Sequence, residues 1–553
     1  MNQLEIKRKQ MVCYTYILGL IGLMSMGKLL GDNGLCYLAL ALESVSLFTL
    51  LLTAGSAEVI AHLQKNRRTK GQYKGVARMR GQLLLLQGVT GLLLTVIFLL
   101  LADPLAEKLF LVPYSAAALK MLAPVIVIQA LDAVLLGYFQ GNGSQMPTLI
   151  SAVLRQGFFL VFGSLFGRIL AGYGDKVSGL LKNDNYSGMY GAMGVALGIL
   201  LTELLVLLFL FIIYMGSDRK ADAQRSQEGL RRTESMGDTV RLYYGTGWQS
   251  ILISLLALLP VPLGAALYLR AMIPLGQAVS ATDPESGDAL GTLMVTDAVA
   301  DYGSLFGKCL LLCGVFILLL TARCFSVYGR LHAAVRREDA RHGRDLASAG
   351  LHFVWTAGLF LTVTMAVTAP QMAAGFFPGR DEGAAQLLRA GSIMILLAGL
   401  VILFSMILLS YGEQYLLMGA LGIWLILDVI LQNLLVKASG YQVIGILYSL
   451  LTATGILTVG LAAYMVWRRR FSREYIRILG IPLIGAGIAG LVMMLVIRLL
   501  SAHVGNLVCL LVAAVLGVLV YGAILILTKN IREYELGALY GKQARKLFGR
   551  INS

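Results

Sequence analysis

The sequence predicts an all-α membrane protein: a polytopic bundle of about 14 transmembrane helices, as two six-helix lobes plus a C-terminal helix pair. Three observations lead there. The chain has 553 residues, of which 58% are hydrophobic and only 14% charged. Charge-free apolar runs long enough to cross a bilayer recur from end to end, and lipid leaves only helices or closed barrels as spanning structures. The runs lack the strict alternation of barrel strands, so helices are expected.

The spans are expected near 11–30, 34–60, 81–101, 117–139, 147–168, 189–215, 242–266, 299–322, 349–372, 386–410, 415–435, 440–466, 477–499 and 504–528. MNQLEIKRKQ precedes a long apolar run with no A-x-A site near its end, the pattern of a retained first span. An even count puts both termini on one side. One set of connections is basic: KNRRTKGQYKGVARMR, DRKADAQRSQEGLRR, GRLHAAVRREDARHGR, RRRFSR and the tail. The other set is neutral or acidic, as in ATDPESGDALGTLMVTDAVAD. Basic loops stay cytoplasmic, so the expectation is a multi-pass plasma-membrane protein with both termini inside.

Domain bounds follow. Residues 1–215 form the N-terminal lobe and 216–240 a cytoplasmic linker. Residues 241–467 form the C-terminal lobe, 476–528 the final pair, and 529–553 a basic tail. Paired six-span lobes suggest a transporter built from repeats, with its site near the midplane. ILLSYGEQYLLMGALG (407–422) faintly repeats LLGYFQGNGSQMPTLI. The tail sets apolar residues among basic ones and could lie on anionic inner-leaflet lipid as an amphipathic helix, or simply be solvated.

The net charge of +16 is spread through short loops, which is a topology signal and not a nucleic-acid footprint. The six cysteines lie in or beside apolar runs and read as buried thiols. The five histidines are scattered near span ends, so no metal or other cofactor is expected. No phosphate-binding loop, H-E-x-x-H or G-x-S-x-G occurs, so the chain does not read as an enzyme. Energy for transport would come from a gradient, with H+ or Na+ as the coupling ion, or from the substrate itself, and not from ATP bound here.

The informative residues are charges at depth, each costing roughly 2.5–3.5 kcal/mol at mid-membrane. They are Glu43, Asp132, Arg155, Glu203, Lys308 and Asp428; Lys28 and Arg389 lie nearer span ends. Asp132 and Arg155 flank the hinge GNGSQMP, about eight residues to either side. At 1.5 Å per residue both lie about 12 Å deep on neighbouring helices, placed to pair. The pair could hold helix register or meet a substrate. Glu43 and Glu203 have no evident local partner. Such carboxyls favour their neutral form, as an ion-coupled carrier needs. In the hinge, Gly141 and Gly143 permit tight geometry and Pro147 suits a first helical turn.

GYFQGNGSQMPTLIS (137–151) resembles the GYFQG-x(3)-M-x-PT-x-IS signature of the polysaccharide-flippase branch of the multidrug/oligosaccharidyl-lipid/polysaccharide (MOP) exporter superfamily. ILGLIGLMSMGKLLGDNGLCYLALA is similar to that branch's first-span pattern, and TAGSAEVIAHL to its second-span ending. The resemblance covers the first five spans and, loosely, the second lobe. It implies a V-shaped carrier of two lobes, working by alternating access to move a lipid-linked sugar from the inner to the outer leaflet; the expected partners are membrane lipid and that substrate, and the expected state is a monomer. Tyr16, Leu23 and Leu136 stand where the branch often has a cation, while Lys28 keeps its charge. Glu43 and Glu58 stand where proline is common. The cations left to grip an anionic head group are Lys28, Arg155, Lys308 and Arg270. Two alternatives stay open: a cation-coupled drug or metabolite antiporter using Glu43, Asp132, Glu203 or Asp428, and a non-transporting membrane scaffold.

Overall fold

The structure is a computed structural model. It describes residues 3–226, 235–282, 298–377, 381–437, 442–468, 470–471, 476–501, 503–530 and 535. Residues 283–297 of the acidic connection, and the basic tail apart from Lys529, Asn530 and Glu535, lie outside the described residues. Among the described residues every regular element is helical. Thirteen stretches are long and apolar enough to cross a membrane.

The first stretch, Tyr14–Thr69, is far too long for one crossing. Within helix Gln3–Thr53 one residue, Gly31, leaves helical geometry, at φ 62° and ψ 178°. That region of backbone space is open essentially to glycine alone. Neighbour contacts give the direction on each side of it. Gly19 faces Gln156, Gly22 faces Phe159 and Gly167 faces Leu29, so residues 3–30 run alongside 146–181 in the same sense. Phe48 meets Phe98 while Leu52 meets Gln87, so 32–53 runs against 73–104. Gly91 faces Val127 and Gly88 faces Leu131, so 73–104 in turn runs against 125–141. Residues 32–53 therefore run with 125–141, the opposite arm of the hairpin. The chain reverses at Gly31, and the stretch holds two crossings. All the spans read from hydropathy have a helix.

Two compact units divide the chain. The first is residues 2–303 and the second is essentially 304–553. In the first, glycines bring helices to backbone contact. A Cβ on Gly194 would sit 2.4 Å from the Phe166 carbonyl oxygen, and one on Gly198 would sit 2.6 Å from the Gly163 Cα. Close approach of this kind is how helices gain packing where lipid supplies no hydrophobic drive.

In the second unit the final pair, Ile481–Leu500 and Asn506–Leu527, docks on helix Ala340–Phe376. Tyr521 donates its hydroxyl to the Thr356 carbonyl at 3.0 Å, and Trp355 Nε1 donates to Leu479 at 3.0 Å. Outward faces of both units carry large apolar side chains such as Leu100, Leu180, Ile423, Val459 and Leu511, as lipid contact requires.

Candidate functional site

The hinge comes first because it sets the site. Helix Val125–Gly141 and helix Met146–Phe158 are joined by four residues. Gly143 takes φ 78°, and Pro147 occupies the first turn of the second arm. Asn142 Oδ1 accepts from Gln64 Nε2 at 2.6 Å and from Arg68 Nη1 at 2.8 Å, tying the turn to helix Ser56–Thr69. The two glycines of GYFQG face that helix. A Cβ on Gly137 would lie 2.8 Å from the Ile60 Cβ, and one on Gly141 would lie 2.9 Å from the Gln64 Cδ. Gly141 is therefore fixed by packing, whereas the positive φ belongs to Gly143.

Arg155 sits at the centre of the first unit's charges. Its Nη2 donates to Asp132 Oδ2 at 3.0 Å across the hairpin. Its Nε donates to Glu203, 2.9 Å from Oε1 and 3.0 Å from Oε2. Gln129 Nε2 also donates to Glu203 Oε1 at 3.1 Å. The sequence left Glu203 without a partner; the structure corrects this, because helix Asn185–Ser226 packs beside the hairpin. The carboxylates are buried, with side chains 3% and 5% exposed, while the Arg155 side chain is 30% exposed. Asp132 Oδ1 makes no hydrogen bond. One guanidinium thus stands between two acids, a surplus of one negative charge when both are ionised.

Glu43 also has a partner that sequence did not show. The Tyr302 hydroxyl donates to its Oε1 at 2.6 Å, leaving Oε2 without a hydrogen bond. Tyr302 in turn stacks on Tyr268, ring centres 6.4 Å apart. Glu58 is exposed, as are Lys28 and Arg270. Arg270 Nη2 and Nε donate to the carbonyls of Lys108 and Leu109, at 2.7 and 3.1 Å. It caps a helix end whose carbonyls lack helical partners.

A second buried network surrounds the break after residue 53. Gln87 Nε2 donates to the Tyr243 hydroxyl at 2.7 Å, and Tyr243 and Ser56 are hydrogen-bonded to each other. Leu52, whose carbonyl is freed by the break, accepts from Gln87 and Tyr243. Arg80 lies between two aromatic rings, 4.9 Å from the centre of Tyr138 and 4.5 Å from that of Tyr214. The Gln87–Tyr243–Ser56 contacts are between neutral groups, while Arg80 brings a cation against two aromatic rings.

In the second unit Lys308 is buried in a π-helical turn, Leu305–Leu310. Asp428 accepts from Gln432 Nε2 at 2.7 Å, one turn along the same helix. Asp428 Oδ1 and Gln432 Oε1 make no hydrogen bond. Sequence reading missed a third cluster entirely. Glu535 Oε1 accepts from Arg477 Nη2 at 2.7 Å, and its Oε2 lies 2.9 Å from His352 Nδ1. Asn530 Nδ2 is 3.0 Å from His352 Nε2, and Arg477 Nη1 donates to the Asn530 carbonyl at 2.7 Å. Residues 183 apart meet here, so no local spacing could have signalled it. Among the described residues no group of three or more His, Cys, Asp or Glu could share a metal ion.

No family model matches the sequence. Stage V sporulation protein B of Bacillus subtilis (strain 168) is 26% identical over 200 residues, 36% of this chain and 36% of that protein. The stretch of likeness thus spans about a third of that relative's length. The lipid II flippase MurJ in an inward closed conformation superposes with a TM-score of 0.61 at 13% identity, covering 95% of this chain and 99% of MurJ. The chain has the MOP exporter fold. An inward-facing multidrug resistance transporter of the MOP superfamily also superposes, at TM-score 0.58 and 15% identity, over 82% of this chain and 94% of its own. Within the MOP fold this chain is a multi-pass membrane protein whose first unit holds the hinge and the Arg155 cluster.

Proposed function

We propose that the protein is a flippase that moves a lipid-linked oligosaccharide, or a related cell-envelope precursor, from the inner to the outer leaflet by alternating access. The observation that carries this reading is likeness to a lipid II flippase over nearly the whole of both chains. The multidrug transporter covers a smaller share of this chain. The sequence match to stage V sporulation protein B supports the same branch. On this reading the protein works as a monomer in the plasma membrane, with both termini cytoplasmic and the basic tail drawn to anionic lipid. It uses no cofactor beyond a coupling H+ or Na+. Residues 1–215, 241–467 and 476–528 act as two lobes and an accessory pair.

The test is reconstitution of the purified protein into vesicles carrying a fluorescent sugar on a prenyl pyrophosphate. The expected result is protein-dependent exposure of the sugar to an external enzyme. Export of a cationic dye with no sugar exposure would instead establish the antiporter. One observation favours that second reading: the acids around Arg155 outnumber it two to one.

A further inference from the structure

The Arg155 cluster is neither a plain structural salt bridge nor a free anion receptor. A guanidinium held by two carboxylates cannot present its full charge to a third anion. A structural ion pair would have every lone pair satisfied, because unpaired buried oxygens are costly. Here the two acids differ. Glu203 uses both oxygens, on Arg155 Nε and Gln129 Nε2. Asp132 uses one, and its buried Oδ1 has no hydrogen bond. Arg155 itself is the accessible member, and its Nη1 takes part in neither ion pair.

From this asymmetry we propose that Asp132 and Arg155 form a linked proton and anion site: a proton taken up by Asp132 releases the Nη edge of Arg155 to bind a phosphate or pyrophosphate group, while Glu203 keeps hold of Nε. Protonation discharges Asp132, and its contact with Nη2 changes from an ion pair to a hydrogen bond between the guanidinium and a neutral carboxyl, which loses the charge–charge attraction. The cluster then carries one acid and one base, and an arriving anion no longer faces surplus negative charge. Linkage is reciprocal, so the bound anion strengthens proton binding by the same factor.

Other charges do not perform this role. The charged groups acting on Asp132 are Arg155 and Glu203. Five elements pack against helix Val125–Gly141. Helix Met146–Phe158 brings Arg155 and helix Asn185–Ser226 brings Glu203. From helix Gln3–Thr53 the buried acid is Glu43, already bonded to Tyr302. Helix Ser56–Thr69 directs Gln64 and Arg68 to Asn142, and helix Tyr73–Pro104 directs Arg80 to Tyr138.

The proposal rests on the flippase reading only in taking the head-group phosphate as the physiological anion. Its test is separate from flipping. Inorganic pyrophosphate, or a short-chain prenyl pyrophosphate, is added to the full-length protein in weakly buffered detergent. Binding is followed by calorimetry and proton uptake by a pH indicator. Uptake approaching one proton per anion is expected, with affinity weakening by up to about tenfold per pH unit above the titration. Asp132→Asn should retain binding while losing uptake and pH dependence, and Arg155→Gln should lose both. Uptake with pyrophosphate alone assigns the site to free anion, and uptake only with the prenyl compound assigns it to a lipid head group. Binding without uptake in the wild type, or no binding of either probe by well-folded protein, overturns the proposal. Sugar exposure in vesicles alongside that outcome would leave the flippase reading standing.

Discussion

Two arginine–carboxylate clusters, one in each unit, use the same chemistry to opposite ends. At Glu535 both carboxylate oxygens are taken, one by Arg477 and one by His352, and the Arg477 side chain is 15% exposed. At Arg155 the guanidinium is twice as exposed, and Asp132 keeps a buried oxygen with no hydrogen bond. The first is a knot joining three segments of the second unit, with both oxygens of its acid satisfied. The second is open on its arginine and incomplete on one acid. Buried charge that is fully paired specifies packing, and buried charge left short of a partner is available for exchange.

Substitutions can break or sharpen that contrast. The largest effect is expected at the knot. Glu535→Ala strands Arg477 beside His352 and should cost about 3–5 kcal/mol, read as a large fall in thermal midpoint in detergent. Next is helix packing elsewhere in the first unit. Gly194→Ala drives a methyl into the Phe166 carbonyl and should cost about 1–3 kcal/mol by overpacking. Smaller still is Asp132→Asn. It keeps the size of the side chain and leaves Arg155 on Glu203, so thermal stability should shift by at most about 1 kcal/mol while pH dependence of anion binding disappears. If Asp132→Asn unfolds the protein as Glu535→Ala does, the two clusters are alike and the contrast fails. The smallest effect is expected at Arg270→Gln. That arginine is exposed and caps two carbonyls, so vesicle flipping should be unchanged; its loss would return Arg270 to the substrate path.

The sequence made some of this legible and hid the rest for physical reasons. Hydropathy and the 1.5 Å rise placed Asp132 and Arg155 at one depth on adjoining helices, and the 3.0 Å contact is there. Glu203 escaped because depth was readable but facing was not: its helix is apolar all round, so no stripe marks which side meets the hairpin. Arg270 read as a charge within an apolar run, but its partners are backbone carbonyls, which no side-chain pattern reveals. The partner of Glu43 is 259 residues distant, as invisible to spacing as the Glu535 knot. The fold class was robust because it rests on composition summed over whole spans. The polar contacts rest on which faces meet, and that is decided by tertiary packing.

Gly31 bears on how the chain enters the bilayer. A reversal made by one residue leaves no loop between the first two crossings. Only Lys28, Asp32 and Asn33 lend polarity at that end and no loop separates the crossings, so the membrane-insertion machinery should release them together, as one hairpin. The basic segments IKRKQ and KNRRTK then act as paired anchors for that hairpin on one face of the membrane. A tag or glycosylation sequon at residue 31 would divide the insertion unit itself, making this a poor position for reporting topology and a sensitive one for disrupting biogenesis.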